Sequence, residues 1–221
     1  MTGLSTPTPT PTHTATPTSE GHWVTVLADG FEGDWPGPWQ QYGDPTWDRT
    51  NCRSFAGALG IDGGHSVWPA GTGMGGLTPC VDDYPNDLHS WLIYGPFDLS
   101  DATAAEVRFR RWQRTENDYD FYRWKASVDD AQNFGLRSSR DTSDWVPVTF
   151  DLTDVYTLGN LSGEPRVWFA FVMQSDESTT DQGVFVDDVE IRKYTGAVPP
   201  SRGASGAVDD AGVRPAAEVR P

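Results

Sequence analysis

The chain has 221 residues, a formal net charge of −16 and 37% hydrophobic residues, with ten Trp and ten Phe among the aromatics. That charge disfavours duplex nucleic acid and anionic lipid surfaces, whose recognition depends on Lys and Arg, and no apolar run approaches the ~18 residues of a membrane span. What remains is an acidic protein with an aromatic core, for which calcium and neutral ligands such as glycans are the fitting small partners.

Residues 1–21 contain STPTPTPTHTATPT. Repeated Thr and Pro leave little to bury and hold a chain extended, so this segment reads as a linker, with O-glycosylation as a further reading. A linker implies an upstream domain, covalently joined in a larger secreted or surface protein. No apolar stretch in it reads as a signal peptide.

Residues 22–195 read as one domain with 28 acidic and 13 basic side chains, Asp outnumbering Glu by 22 to 6. Asp suits turns and oxygen-rich metal sites better than strands or helices. Near the start, Phe31-Glu32-Gly33 places a carboxylate between an aromatic and a turn residue. Trp35, Trp39, Trp47 and Trp68 follow in Gly/Pro/Asp-rich segments. Such Trp residues form flat platforms for sugar rings or peptide side chains, or else plug the ends of a sandwich. Cys52 and Cys80 predict one disulfide around a Gly-rich loop, with a pair of buried thiols as the alternative. Gly71 to Gly76 spells GxGxxG, but the Leu-Thr-Pro-Cys that follows cannot open the helix a pyrophosphate needs.

Strand periodicity then dominates. Residues 105–111, 121–128 and 146–152 alternate apolar and polar, as half-buried strands do. Residues 166–173, RVWFAFVM, are apolar on both faces and predict a central strand, and 184–192, VFVDDVEIR, predict the last one. Acidic groups punctuate the loops: Glu116, Asp118 and Asp120 in TENDYD, and Asp176, Glu177 and Asp181 in SDESTTDQG. In the last strand, strict alternation sets Asp187 on the face of Phe185, Val189 and Ile191, with Asp188 opposite. An ionised carboxylate on an apolar face costs several kcal/mol unless paired or metal-bound. If the first and last strands are neighbours, Glu32 meets Asp187, and Ca²⁺ suits such hard oxygen ligands. The alternative is that backbone or Arg hydrogen bonds satisfy Asp187. Residues 196–221, small, polar and Pro-rich, read as a disordered tail.

The pieces FEG, WLIYGPFDLS, VRFRRWQRTENDYDFYRWKASVD, WVPVTFDL, VWFAFVMQSD and GVFVDDVEI come in an order that resembles the jelly-roll accessory domain of immune-inhibitor-A-type secreted bacterial metallopeptidases. The chain also looks like the related MAM-like and cleaved-adhesin domains. The resemblance spans about residues 23–194 and implies structural calcium at Glu32, Asp176, Asp187 and Asp188. One departure is SVDDAQNFG, where Asp129 and Asp130 replace a glycine-bearing turn.

These readings predict an all-β, two-sheet antiparallel jelly-roll sandwich, MAM-like or galactose-binding-like, with disordered termini. There is no HExxH and no GxSxG, and His65 and His89 form no triad pattern, so the expectation is a module that is not an enzyme. It is expected to be extracellular and stabilised by calcium, and to bind a protein or glycan as an adhesion domain, without nucleic-acid binding or membrane insertion. The alternatives are a carbohydrate-binding module of a secreted glycosidase and a structural spacer accompanying a peptidase.

Overall fold

The segment that reads as apolar on both faces organises the molecule. In the computed structural model, which describes residues 20–55, 64–197 and 214–219, it is strand β10 (Val167–Gln174), lying between β5 (His89–Phe97) and β7 (Phe121–Ser127). Phe169, Phe171 and Met173 point into the main core, while Trp168, Ala170 and Val172 pack with Trp91 and Ile93 in a second cluster on the outer side of the same sheet. β8 (Gln132–Ser138), β2 (Gln40–Tyr42) and β12 (Arg214–Val219) complete that sheet, in the order β12-β8-β7-β10-β5-β2.

The other sheet is built around β11 (Gly183–Thr195) and β6 (Ala102–Arg114), the two longest strands. β9 (Val146–Asp151) flanks β6. On its other edge β11 pairs with β1 (His22–Asp29) along one stretch and with β4 (Ser66–Thr72) at Val186, and β3 (Thr46–Thr50) borders β4. All these pairings are antiparallel, and the chain passes repeatedly from one sheet to the other, so the architecture is the predicted two-sheet jelly roll. The described residues contain no helix. Between the sheets, ring contacts such as Phe109–Phe171 at 5.0 Å and Phe169–Phe171 at 4.8 Å, both edge-on, fill the core in geometries aromatic rings favour.

Two local irregularities shape the strands and their turns. The β7–β8 hairpin survives without glycine because Asp130 itself adopts φ 61°. Asp129 Oδ1 accepts the amides of Ala131 and Gln132, each at 2.9 Å, so the two aspartates shape the turn. In β11 the register shifts between Asp187 and Glu190, where Asp188 has φ 50°. This bulge changes the parity of the strand. The tail also departs from the disorder predicted from residue 196 onward. Arg214–Val219 add as β12 to β8, because their backbone finds an open strand edge. Residues 1–19 of the predicted linker and 198–213 and 220–221 of the predicted tail lie outside the described residues.

Candidate functional site

Cys52 and Cys80 are joined, with Cα atoms 6.2 Å apart. The start of the stapled loop lies over the outer face of β6 and β11. Arg53 stacks on Trp112 at 3.6 Å, and Arg110 reaches over Phe55 at 4.6 Å. The loop therefore roofs a polar and aromatic layer outside the main sandwich.

Asp187 is part of that layer. Its position opposite Arg110, with Phe109 in the core, puts it on the outer face. The bulge turns Val189 and Ile191 the other way, so the expected apolar face shared by Phe185, Asp187, Val189 and Ile191 is corrected: strict alternation fails across Asp188. Asp187 is nonetheless 0% exposed, because the loop covers it. Its Oδ2 accepts the Phe55 amide and its Oδ1 the Asp188 amide, both at 2.7 Å. Burial, chiefly, pushes its carboxyl up to about 7; the two amides oppose this, and the charges of Asp188 and Glu32 add to it. Glu32 is brought near because β1 ends beside Val189. It accepts the amides of Gly64 at 2.7 Å and His65 at 2.6 Å on Oε1, and the His65 ring on Oε2 at 2.8 Å. Burial is the largest single influence on Glu32 and raises it, but the bonds from His65 and Gly64 and the charge of His65 together outweigh it and hold the carboxyl below its usual value. Asp187 thus holds the disulfide loop near its start, at Phe55, and Glu32 holds it at Gly64 and His65, just before β4, and backbone amides occupy both carboxylates.

Asp176 belongs elsewhere. Phe121 pairs with Gln174, so the residues preceding β7 and following β10 are neighbours. This merges the two acidic loops: the carboxylate oxygens of Glu116, Asp120 and Asp176 come within 4.8 Å of one another. Among the described residues no other set of three acidic, His or Cys side chains does so. Grouping Asp176 with Glu32, Asp187 and Asp188 is therefore corrected, the reason being strand register. Asp120 is fully buried. Its Oδ1 accepts the Asp176 amide at 2.8 Å, and its Oδ2 accepts the Tyr84 hydroxyl in a short hydrogen bond. Tyr84 in turn accepts the Glu116 amide at 3.1 Å. Burial above all raises the Asp120 carboxyl; its two hydrogen bonds pull the other way, and the charge of Asp176 adds to the rise. Burial also pushes the Tyr84 hydroxyl well above its usual range. Glu116 Oε2 is buried with no hydrogen-bond partner. Three converging carboxylates with one orphaned oxygen are a donor set that fits a hard cation.

Of the platform and plug readings of the tryptophans, burial favours the plug for three of the four. Trp39, Trp47 and Trp68 are core residues. Trp39 donates to Asp29 Oδ2 at 2.8 Å, and Trp68 to the Gln182 carbonyl at 2.6 Å, so their polar edges are consumed inside the fold. Trp35 is half-buried, edge-on to Phe31 at 5.9 Å. Trp39 and Trp47 pack on Phe171 between the sheets, whereas Trp68 of β4 stacks on Phe185 in the covered layer outside the sandwich. Of the four histidines, the two beyond the linker and β1 are engaged: His65 serves Glu32 and His89 accepts the Trp91 indole at 2.9 Å.

The chain matches no protein-family profile and no curated protein. Solved structures with a similar shape include a cleaved adhesin domain of Lys-gingipain from Porphyromonas gingivalis, 19% identical with a TM-score of 0.46, covering 76% of this chain and 97% of that one. A family 11 carbohydrate-binding module from Clostridium thermocellum is 16% identical with a TM-score of 0.41, covering 76% of this chain and 94% of the module. An exo-β-agarase is 13% identical with a TM-score of 0.48, covering 82% of this chain and 26% of the agarase.

Proposed function

We propose that this chain is a non-catalytic extracellular binding module of a larger secreted or surface bacterial protein, an adhesion domain that binds a protein or glycan and is stabilised by calcium. The convergence of Glu116, Asp120 and Asp176, with Glu116 Oε2 left unpartnered, carries the calcium part of the reading. These three residues would hold the ion, and a bound Ca²⁺ would neutralise carboxylates that burial keeps close together. It would also tie the loops before β5, before β7 and after β10 into one rigid rim. The resemblance of the sequence to immune-inhibitor-A accessory and cleaved-adhesin domains supports the extracellular setting and the binding role. The two histidines most available for catalysis are engaged in structural contacts, which supports a role without turnover.

The test is thermal unfolding with Ca²⁺ and with a chelator. Ligand linkage predicts a higher midpoint with the ion, reflecting ~2.7 kcal/mol of added stability at a hundredfold excess over Kd. An unchanged midpoint, with no ion carried through by elemental analysis, removes the calcium reading. Binding of the calcium-loaded chain to glycan arrays and to matrix proteins tests the adhesion reading. Turnover of any polysaccharide or peptide by the isolated chain overturns it.

A further inference from the structure

The acidic domain carries one strongly basic row. Arg123 of β7, Arg137 of β8 and Arg214 of β12 stand directly opposite one another on the outer face of the second sheet. Like charges at directly opposed positions, about 5 Å apart at Cβ, oppose strand pairing. Arg137 stacks over the Phe121 ring at 4.2 Å, and its Nε is buried with no hydrogen-bond partner. Beside the row is a cavity of about 210 Å³ lined by Asp118, Phe121, Arg137, Ser139 and Arg214. Asp118 has φ 67° and its amide is held by Ser139 Oγ at 2.9 Å, so its place at the rim is set by the turn and not by pairing with an arginine.

The cavity is below the usual ~300 Å³ of a small-molecule pocket, which suits one charged group and the ring that bears it. Arginine forks match planar or tetrahedral oxyanions. Asp118 would repel a second acidic side chain of a peptide, yet it is an acceptor for a hydroxyl. Anion and hydroxyls side by side are the chemistry of an acidic sugar. We propose that this cavity binds the carboxylate or sulfate of an acidic sugar unit in a polysaccharide. Arg137 and Arg214 hold the oxyanion, and Asp118 accepts from the neighbouring hydroxyls. The inference rests on the reading of the chain as a binding module and narrows its ligand.

The test is calorimetric titration of the whole calcium-loaded chain with methyl glucuronide and glucuronate oligosaccharides, glucose 6-sulfate, methyl glucoside and poly-glutamate. The expected result is binding of the glucuronates or the sulfate and none of the glucoside. Which of the two binds distinguishes carboxylate from sulfate. Arg137→Gln and Arg214→Gln should each weaken binding about tenfold, while the melting temperature stays the same or rises as like charges separate. A merely structural role would not produce that combination. Equal binding of glucoside, preference for poly-glutamate, or unchanged affinity in both variants overturns the acidic-sugar site. If neutral glycans or a matrix protein still bind, the module reading stands without it; if nothing binds, both fall.

Discussion

Two buried carboxylates of this protein, Asp187 and Asp120, are alike in residue type and burial and differ in company. Both are pushed above the usual carboxylate range chiefly by burial. Each Asp187 oxygen accepts a backbone amide, one of them from the disulfide loop, so this residue fastens a loop to a strand. Asp120 shares its corner with Glu116 and Asp176, and one Glu116 oxygen is left without a partner. The difference teaches that burial alone does not mark a cation site. Amides can satisfy a buried carboxylate, whereas carboxylates facing one another ask for a positive charge.

The comparison can be broken first at the disulfide. Cys52→Ser with Cys80→Ser should cost ~3–4 kcal/mol in a chain-entropy account, measured by denaturant unfolding, and should leave the calcium-dependent gain in stability intact. A loss of that gain would show that the two corners are one unit. The next largest effect is expected from calcium itself. Asp120→Asn should abolish most of the calcium-dependent rise in melting temperature, which reflects ~2.7 kcal/mol of added stability at a hundredfold excess over Kd, whereas Asp187→Asn should keep it. The reverse outcome would move the ion to Asp187. Asp187→Asn should itself cost ~1–2 kcal/mol, because its amide group cannot accept from both the Phe55 and Asp188 backbones as a carboxylate does.

A smaller effect separates the corners by pH. Asp187 binds its proton more tightly in the folded state, with its carboxyl near 7, than in the unfolded chain. In calcium-free buffer its contribution is fully present below about pH 4 and is lost as pH rises through about 7. Stability should fall over that window, and Asp187→Asn should flatten the fall. The smallest expected change is at Glu32. Its carboxylate is partly exposed, so Glu32→Gln should cost ~0–1 kcal/mol, seen as faster hydrogen exchange at Gly64 and His65 before any shift in global unfolding.

Much of this was legible in the sequence because it depends on near neighbours. Alternation in 105–111, 121–128 and 146–152 marks β6, β7 and β9, and the doubly apolar RVWFAFVM marks β10, since side-chain direction repeats every two residues along a strand. The pairing of Cys52 with Cys80 follows from there being two cysteines. The Asp-rich loops were visible as places for oxygen-lined sites. Strand positions in β1 to β5 were not: β2 and β3 are only three and five residues long, and Pro and Gly interrupt β4 and β5.

Only the tertiary structure decided which acids meet. Asp120 and Asp176 are 56 residues apart in the chain and touch because Phe121 and Gln174 are paired. One bulge at Asp188 placed Asp187 beneath the disulfide loop and outside the sandwich core. The same holds for the tryptophans that composition left between platform and plug: Trp39 and Trp47 are drawn between the sheets onto Phe171, and Trp68 is buried against Phe185 beneath the disulfide loop's layer. Periodicity is a property of a segment. Register, bulges and the closing of loops over strands are properties of segments brought together from far apart, and which acidic side chains meet depends on the latter.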